Sequence, residues 1–148
     1  MEKRFRLKGF TLLELIIVII IVGVLATLGF TQYGRMVERS RGAEARAILG
    51  DLRKLGQAFY IENGSIAAIA ANNLNLGANN NQIPNACRAS HYFSYAFAAA
   101  NPTLTLTATR CAAGGKTPNP PAGAGGTTIT LTSNLDTGVD AWGGTGQY

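Results

Sequence analysis

Between Phe10 and Phe30 the chain reads FTLLELIIVIIIVGVLATLGF, a run in which Thr11, Glu14 and Thr27 are the only polar side chains. As a helix this run is about 31 Å long, enough to cross the hydrocarbon core of a bilayer. Lys3, Arg4, Arg6 and Lys8 precede it against Glu2, so residues 1–9 carry four positive charges and one negative, a net +3. Positive charge before the span leaves the N-terminus in the cytoplasm and sends the rest of the chain out. The run is too long for the core of an ordinary secretory signal peptide, and Phe30-Thr31-Gln32-Tyr33 follows it. A plain signal anchor fits the length but does not ask for Glu14. A carboxylate at the centre of a membrane helix costs roughly 2.5–3.5 kcal/mol on insertion scales, and less near the interface. Something should neutralise this acid.

The length of 148 residues suggests one domain in addition to that segment. The whole chain is +5, of which +3 is in residues 1–9, so the remaining nine basic and seven acidic groups leave only +2. Bulk charge therefore gives little reason to expect nucleic-acid binding.

Past Phe30 the helix is expected to continue with mixed charge: Arg35, Glu38, Arg39, Arg41, Glu44, Arg46, Asp51, Arg53 and Lys54. Ala45, Ile48, Leu52, Leu55 and Phe59 thread it at helical spacing, the pattern of an amphipathic helix lying on a core. The charges read as a solvated face; pairing of Arg39, Arg41 and Arg46 with acids of neighbouring subunits is the alternative. Asn63-Gly64 stops the helix. Residues 65–86, with their asparagine runs and Pro84, argue against a regular element. Three alternating segments follow: Tyr92–Ala98, Thr103–Arg110 and Thr127–Ser133, each with one apolar face. A fourth short strand is expected around Val139–Trp142. Such alternation implies an antiparallel sheet with one buried face, and that sheet should cover the helical stripe. The aromatic residues Tyr92, Phe93, Tyr95 and Phe97 read as core packing.

Cys87 stands just before the first expected strand and Cys111 just after the second. An even pair behind an export-like start suggests one disulfide, two unrelated buried thiols being the other reading. Neither the single histidine, His91, nor the cysteines form a metal or nucleophile pattern. Asp136 and Asp140 are too few to hold calcium unaided. No cofactor is implied, and no catalytic residue emerges.

The stretch KGFTLLELIIVIIIVGVLATLGFTQY, Lys8 to Tyr33, resembles the amino terminus of type IV pilins and of the pseudopilins of type II secretion. The residues that carry the resemblance are Lys8 and Gly9, Phe10, Thr11, Leu12, Glu14, the aliphatic run, Gly23 and Tyr33. It is close from the start of the chain to Tyr33 and looser from there to Glu62. The resemblance implies that a membrane-embedded prepilin peptidase, recognising Lys8-Gly9, cuts between Gly9 and Phe10, and that the new Phe10 amine is methylated. Cleavage would remove the +3 leader and create a cation, the natural partner for a buried carboxylate. The family places that pair between subunits: Glu14 of an incoming copy meets the Phe10 amine of an assembled one. One departure is the lack of a proline near Thr31, so any unwinding of the helix between Gly23 and Thr31 would fall to Gly23 and Gly29.

The fold class expected is thus α+β: a leader over 1–9, a membrane-spanning or filament-core helix over 10–34, and a globular domain over 35–148. That domain comprises a helix over 35–62, a connection over 63–91 and an antiparallel sheet of three to four strands over 92–142. The function expected is a structural subunit of a type IV pilus-like filament. Its partners would be the prepilin peptidase, further copies of itself, a pilus or secretion assembly platform and the inner membrane. It would sit in that membrane with a single pass before assembly and in an extracellular or periplasmic filament afterwards. The alternatives are a pseudopilin, whose major forms bind calcium in C-terminal loops, and a monomeric membrane-anchored module that binds through its asparagine-rich surface. DNA uptake, with nucleic acid an improbable partner on charge, would fall to Arg88, Arg110 and Lys116.

Overall fold

The computed structural model describes residues 9–77, 79, 81–120, 123–146 and 148. The chain falls into two compact units that divide between Met36 and Val37. Lys8 lies outside the described residues.

Helix α1 runs over Leu12–Asn63, 52 residues without a break, and its first part belongs to the first unit. Every residue from Phe10 to Phe30 is exposed. Thr27 does not interrupt the helix, because its hydroxyl donates to the Val24 carbonyl at 2.8 Å. Gly23 and Gly29 do not interrupt it either: in the single chain the helix is continuous through Val24–Phe30. Its C-terminus is closed by Gly64, at φ 67°, whose N–H donates to the Tyr60 carbonyl at 2.8 Å. The Asn63 side chain donates back to the Phe59 carbonyl at 2.9 Å, one turn earlier.

In the second unit α1 packs on a four-stranded antiparallel sheet, so the fold is α+β. Two short strands come first, β1 (Leu76–Gly77) and β2 (Ile83–Pro84). The main sheet follows with β3 (Phe93–Ala100), β4 (Thr103–Arg110), β5 (Thr128–Asn134) and β6 (Asp140–Gly144), hydrogen-bonded in that order. Alternation decides which residues are buried. Leu104, Leu106, Ala108 and Arg110 point inward from β4 while its threonines point out, and Ile129, Leu131 and Ser133 point inward from β5. Phe93 and Tyr95 complete the floor from β3.

The helical stripe is rotated from the one expected from spacing. Ala45, Leu49 and Leu52 are fully buried, whereas Leu55 is 41% exposed. The reason is Gly56. A Cβ there would overlap Leu104 Cδ2, so the bare glycine lets β4 approach the helix and turns Leu55 outward.

The connection over 65–86 also departs from expectation. β1 and β2 pair in parallel within it, and Pro84 is among the fully buried side chains. Ile66, Leu74 and Leu76 join the core, so this stretch is packed as well as turning. Its asparagines serve as turn formers: the Asn73 carboxamide accepts from Ala70 N–H at 2.8 Å, and Asn75 takes a φ of 54°. The β3–β4 hairpin tip ties the connection down, since Asn101 Oδ1 accepts from Ile66 N–H at 3.1 Å.

Cys87 and Cys111 form a disulfide, with Cα atoms 5.7 Å apart. It joins the approach to β3 with the exit from β4, at the end of the hairpin where Phe93 pairs with Arg110.

Candidate processing and assembly segment

The residues around the expected cleavage point occupy the boundary between non-helical chain and helix. Gly9 and Phe10 are exposed and precede the helix, which begins at Leu12. Thr11 is its N-cap. The Thr11 hydroxyl accepts from Glu14 N–H at 3.3 Å, and Glu14 Oε2 accepts from both Thr11 N–H and Thr11 Oγ1–H at 2.9 Å. This is a reciprocal capping box on a Thr-x-x-Glu spacing, which a reading of Glu14 for its charge alone misses. The signal is a threonine three residues before an acid at the head of an apolar run.

Phe10 precedes the helix, and Glu14 has a local partner in Thr11. The exposed N–H groups of the first turn stabilise its charge. The carboxylate still leads an uncovered helix: Leu13 is 69% exposed and Ile17 48%. Gly9 has open space around it, with nothing within 4 Å of the position a Cβ would take. Packing inside this chain therefore does not demand glycine at that position.

The model of the prokaryotic N-terminal methylation motif matches residues 4–30. The fimbrial protein EcpC of Eikenella corrodens is 40% identical over 57 residues. That similarity covers 38% of this chain and 37% of the relative's length. No solved structure matches the chain.

The amino terminus carries the prokaryotic N-terminal methylation motif.

The helix that follows this motif is long and apolar enough to cross a membrane, consistent with membrane anchoring. The remaining candidates lie in the second unit, and its packing reassigns several of them. Arg110, put forward for DNA, is 1% exposed. Its Nε donates to Glu38 Oε2 at 3.0 Å, its Nη2 to Glu38 Oε1 at 3.3 Å and its Nη1 to the Tyr92 carbonyl at 3.0 Å. A guanidinium held this way is a structural member and is not available to a phosphate backbone. Arg41 also pairs with Glu38, within its own chain. Arg46 donates to the Tyr148 carbonyl at 2.8 Å, and Arg39 is exposed. Asp140 accepts from Arg53 Nε at 3.0 Å and from the Ser133 hydroxyl at 2.5 Å, while Asp136 sits exposed in a turn that the Asn134 carboxamide organises. The two aspartates are thus held by different partners.

Burial works against the Glu38 carboxylate. The hydrogen bonds and charges of Arg110 and Arg41 outweigh it, and they hold the carboxyl below its ordinary value of 4.5.

Proposed function

We propose that this chain is a structural subunit of a type IV pilus-like filament. In this reading a prepilin peptidase, reading Lys8 and Gly9, cleaves between Gly9 and Phe10, and the Phe10 amine is methylated. The helix rests in the inner membrane until it is extracted into a filament. The observation that carries the reading is the methylation motif lying at the head of a membrane-length helix whose apolar side chains are exposed. Such a helix must be covered by lipid or by other copies, and the capping box gives it a defined start just past the scissile bond. Exposed, non-helical backbone at Gly9–Phe10 suits a protease, which binds substrate as an open strand. Removing the leader deletes the +3 charge that anchors the head of the helix. It also places a cation next to a carboxylate that is only partly satisfied by Thr11. Glu14 would then exchange its local partner for the Phe10 amine of a neighbour, which sets the axial register.

The state of Asp140 favours a pilin over a calcium-binding pseudopilin, because Arg53 and Ser133 both hold its Oδ1 and the Arg53 cation already balances its charge. Two measurements on the same material test the proposal. The mature chain should begin at Phe10 by N-terminal sequencing, and sheared extracellular filaments should contain it. A mature chain that begins at Met1, or that stays wholly in the membrane fraction, would overturn it.

A further inference from the structure

Tyr92 carries more positive charge than its own surroundings balance. The Arg41 guanidinium carbon lies 4.5 Å from the ring centroid, that of Arg110 lies 5.1 Å away, and Lys116 Nζ lies 5.1 Å away. Among the described residues one carboxylate, that of Glu38, pairs with this group. Three cations against one anion leave +2 around a single ring. The ring faces attract cations but do not cancel their charge.

The three cations are not equivalent. Arg110 is spent on Glu38 and on two backbone carbonyls, those of Tyr92 and Cys111. Arg41, its side chain 12% exposed, gives Nη1 to Glu38, and its other donors meet no acceptor among the described residues. Lys116 is exposed, and its ammonium meets the Tyr92 ring alone among them. The backbone fixes Lys116 in place, because its N–H donates to the His91 carbonyl at 2.8 Å. His91 N–H in turn donates to the Arg88 carbonyl at 3.0 Å. Arg88, next to the disulfide, buries its Nε without a hydrogen-bond partner. The disulfide therefore holds together a turn whose basic groups have donors to spare.

We propose that this turn binds one phosphate group, gripped by the Lys116 ammonium and the Arg41 donors that Glu38 does not take, at the edge of the Tyr92 ring. A phosphate carries up to two negative charges and several acceptor oxygens in a tetrahedral array, which matches a +2 site with donors arriving from two elements. The cations converge on one ring and do not follow a groove, so the site fits a singly presented phosphate better than a nucleic-acid backbone. That phosphate belongs either to an anionic lipid headgroup or to free phosphate. Arg41 follows the end of the apolar run at Phe30 closely in the sequence, which makes a headgroup a ready source. The choice of a lipid source, unlike the site itself, rests on the membrane reading above.

The test uses the full chain in neutral detergent micelles. Equilibrium dialysis with radiolabelled inorganic phosphate should show saturable binding of one phosphate per chain. Lys116→Gln should weaken it by about tenfold, the loss of one charge-assisted contact, while Lys116→Arg should retain it. Arg39→Gln, at an exposed helix position, should leave it unchanged. Doping the micelles with phosphatidylglycerol then separates the sources. If this lipid displaces the phosphate and phosphatidylcholine does not, the site takes a headgroup; if neither displaces it, the site takes free phosphate. The proposal is overturned if inorganic phosphate and phosphatidylglycerol both fail to bind saturably. Equal binding by Lys116→Gln, or tighter binding of duplex DNA that Arg39→Gln weakens as much as Lys116→Gln, overturns it too. None of these readings depends on cleavage after Gly9 or on filament formation, so failure here leaves the filament proposal standing, and the converse holds.

Discussion

Glu38 and Arg110, 72 residues apart in the chain, meet in a two-pronged ion pair with Arg110 wholly enclosed. The pair links the helix to the last residue of β4, directly beside the disulfide. Breaking such a pair by removing one partner strands a buried charge, which typically costs about 3–5 kcal/mol. Arg110→Ala or Glu38→Ala should therefore lower the denaturation midpoint of the second unit strongly. The double substitution Glu38→Leu with Arg110→Met should recover a large part of the loss, because it leaves fewer charges without a partner. Urea unfolding of the four proteins, followed by far-ultraviolet dichroism, measures this. Single substitutions that cost less than about 1 kcal/mol would show the pair to be energetically idle.

The same pair sets an acid limit on stability. Burial opposes the charged form of Glu38, yet Arg110 and Arg41 favour it more, so the carboxyl titrates below 4.5 in the folded chain. A carboxyl depressed on folding contributes stability that is complete above its unfolded value and disappears as pH falls through its folded value. Thermal midpoints should thus hold steady from neutral pH to about pH 5 and drop below about pH 4.5. Glu38→Gln should show a lower midpoint at neutral pH and a shallower acid slope. Parallel slopes for the two proteins would place the acid sensitivity elsewhere.

Two glycines of α1 make opposite predictions from one substitution. Gly50 has nothing within 4 Å of a would-be Cβ, so Gly50→Ala should stabilise by up to about 1 kcal/mol through helix propensity alone. At Gly56 the new methyl would overlap Leu104 Cδ2, with Leu74 Cδ2 close by at 3.9 Å. Overpacking costs typically about 1–3 kcal/mol and outweighs the propensity gain. Gly56→Ala should therefore destabilise, and calorimetry on the pair should give midpoint shifts of opposite sign.

Gly56 also shows where the sequence ceases to be legible. Periodicity locates the helix, its stop at Asn63-Gly64 and every strand of the main sheet to within a residue or two. It does not place the apolar stripe to the residue, because Leu55 and Leu49 are both leucines and only the close approach at Gly56 chooses between them. Counting periods favours spacing over contact. The same limit hides Arg110. At the end of TLTLTATR it reads as a basic residue leaving a strand, and its burial follows from Glu38, a partner no local pattern can supply. The disulfide is readable because two cysteines flank two strands that pair antiparallel. The pairing of β1 with β2 is not, since two-residue strands among asparagines leave no periodic trace.

That disulfide should carry measurable weight. It closes a segment with a sequence separation of 24, for which chain-entropy reasoning gives roughly 3 kcal/mol. Cys87→Ala with Cys111→Ala should lower unfolding free energy by that order. Reduction of the intact protein with dithiothreitol should reproduce the loss. A double variant as stable as the parent would mean that Arg110 and the hairpin hold this end of the sheet unaided.

The capping box allows the two roles of Glu14 to be separated, which a plain alanine substitution would not do. Removing a cap costs a helix about 1 kcal/mol, so Glu14→Ala confounds a frayed start with a lost charge. Glutamine also serves in a capping box, so Glu14→Gln keeps an acceptor for Thr11 while it removes the negative charge. Thr11→Ala does the reverse: it removes the hydroxyl and leaves the carboxylate. If Glu14 is the partner of a processed Phe10 amine, Glu14→Gln should insert in the membrane and be cleaved, yet yield at least about tenfold less sheared filament, since a charged hydrogen bond of roughly 1.5–3 kcal/mol per contact is lost. Thr11→Ala should assemble at a yield within about twofold of the parent, because a cap of about 1 kcal/mol matters little once neighbours pack the helix. Quantitative immunoblots of sheared and membrane fractions give both numbers. Equal losses in the two variants would make Glu14 a helix cap and nothing more, and normal filaments from Glu14→Gln would remove the charge from assembly altogether.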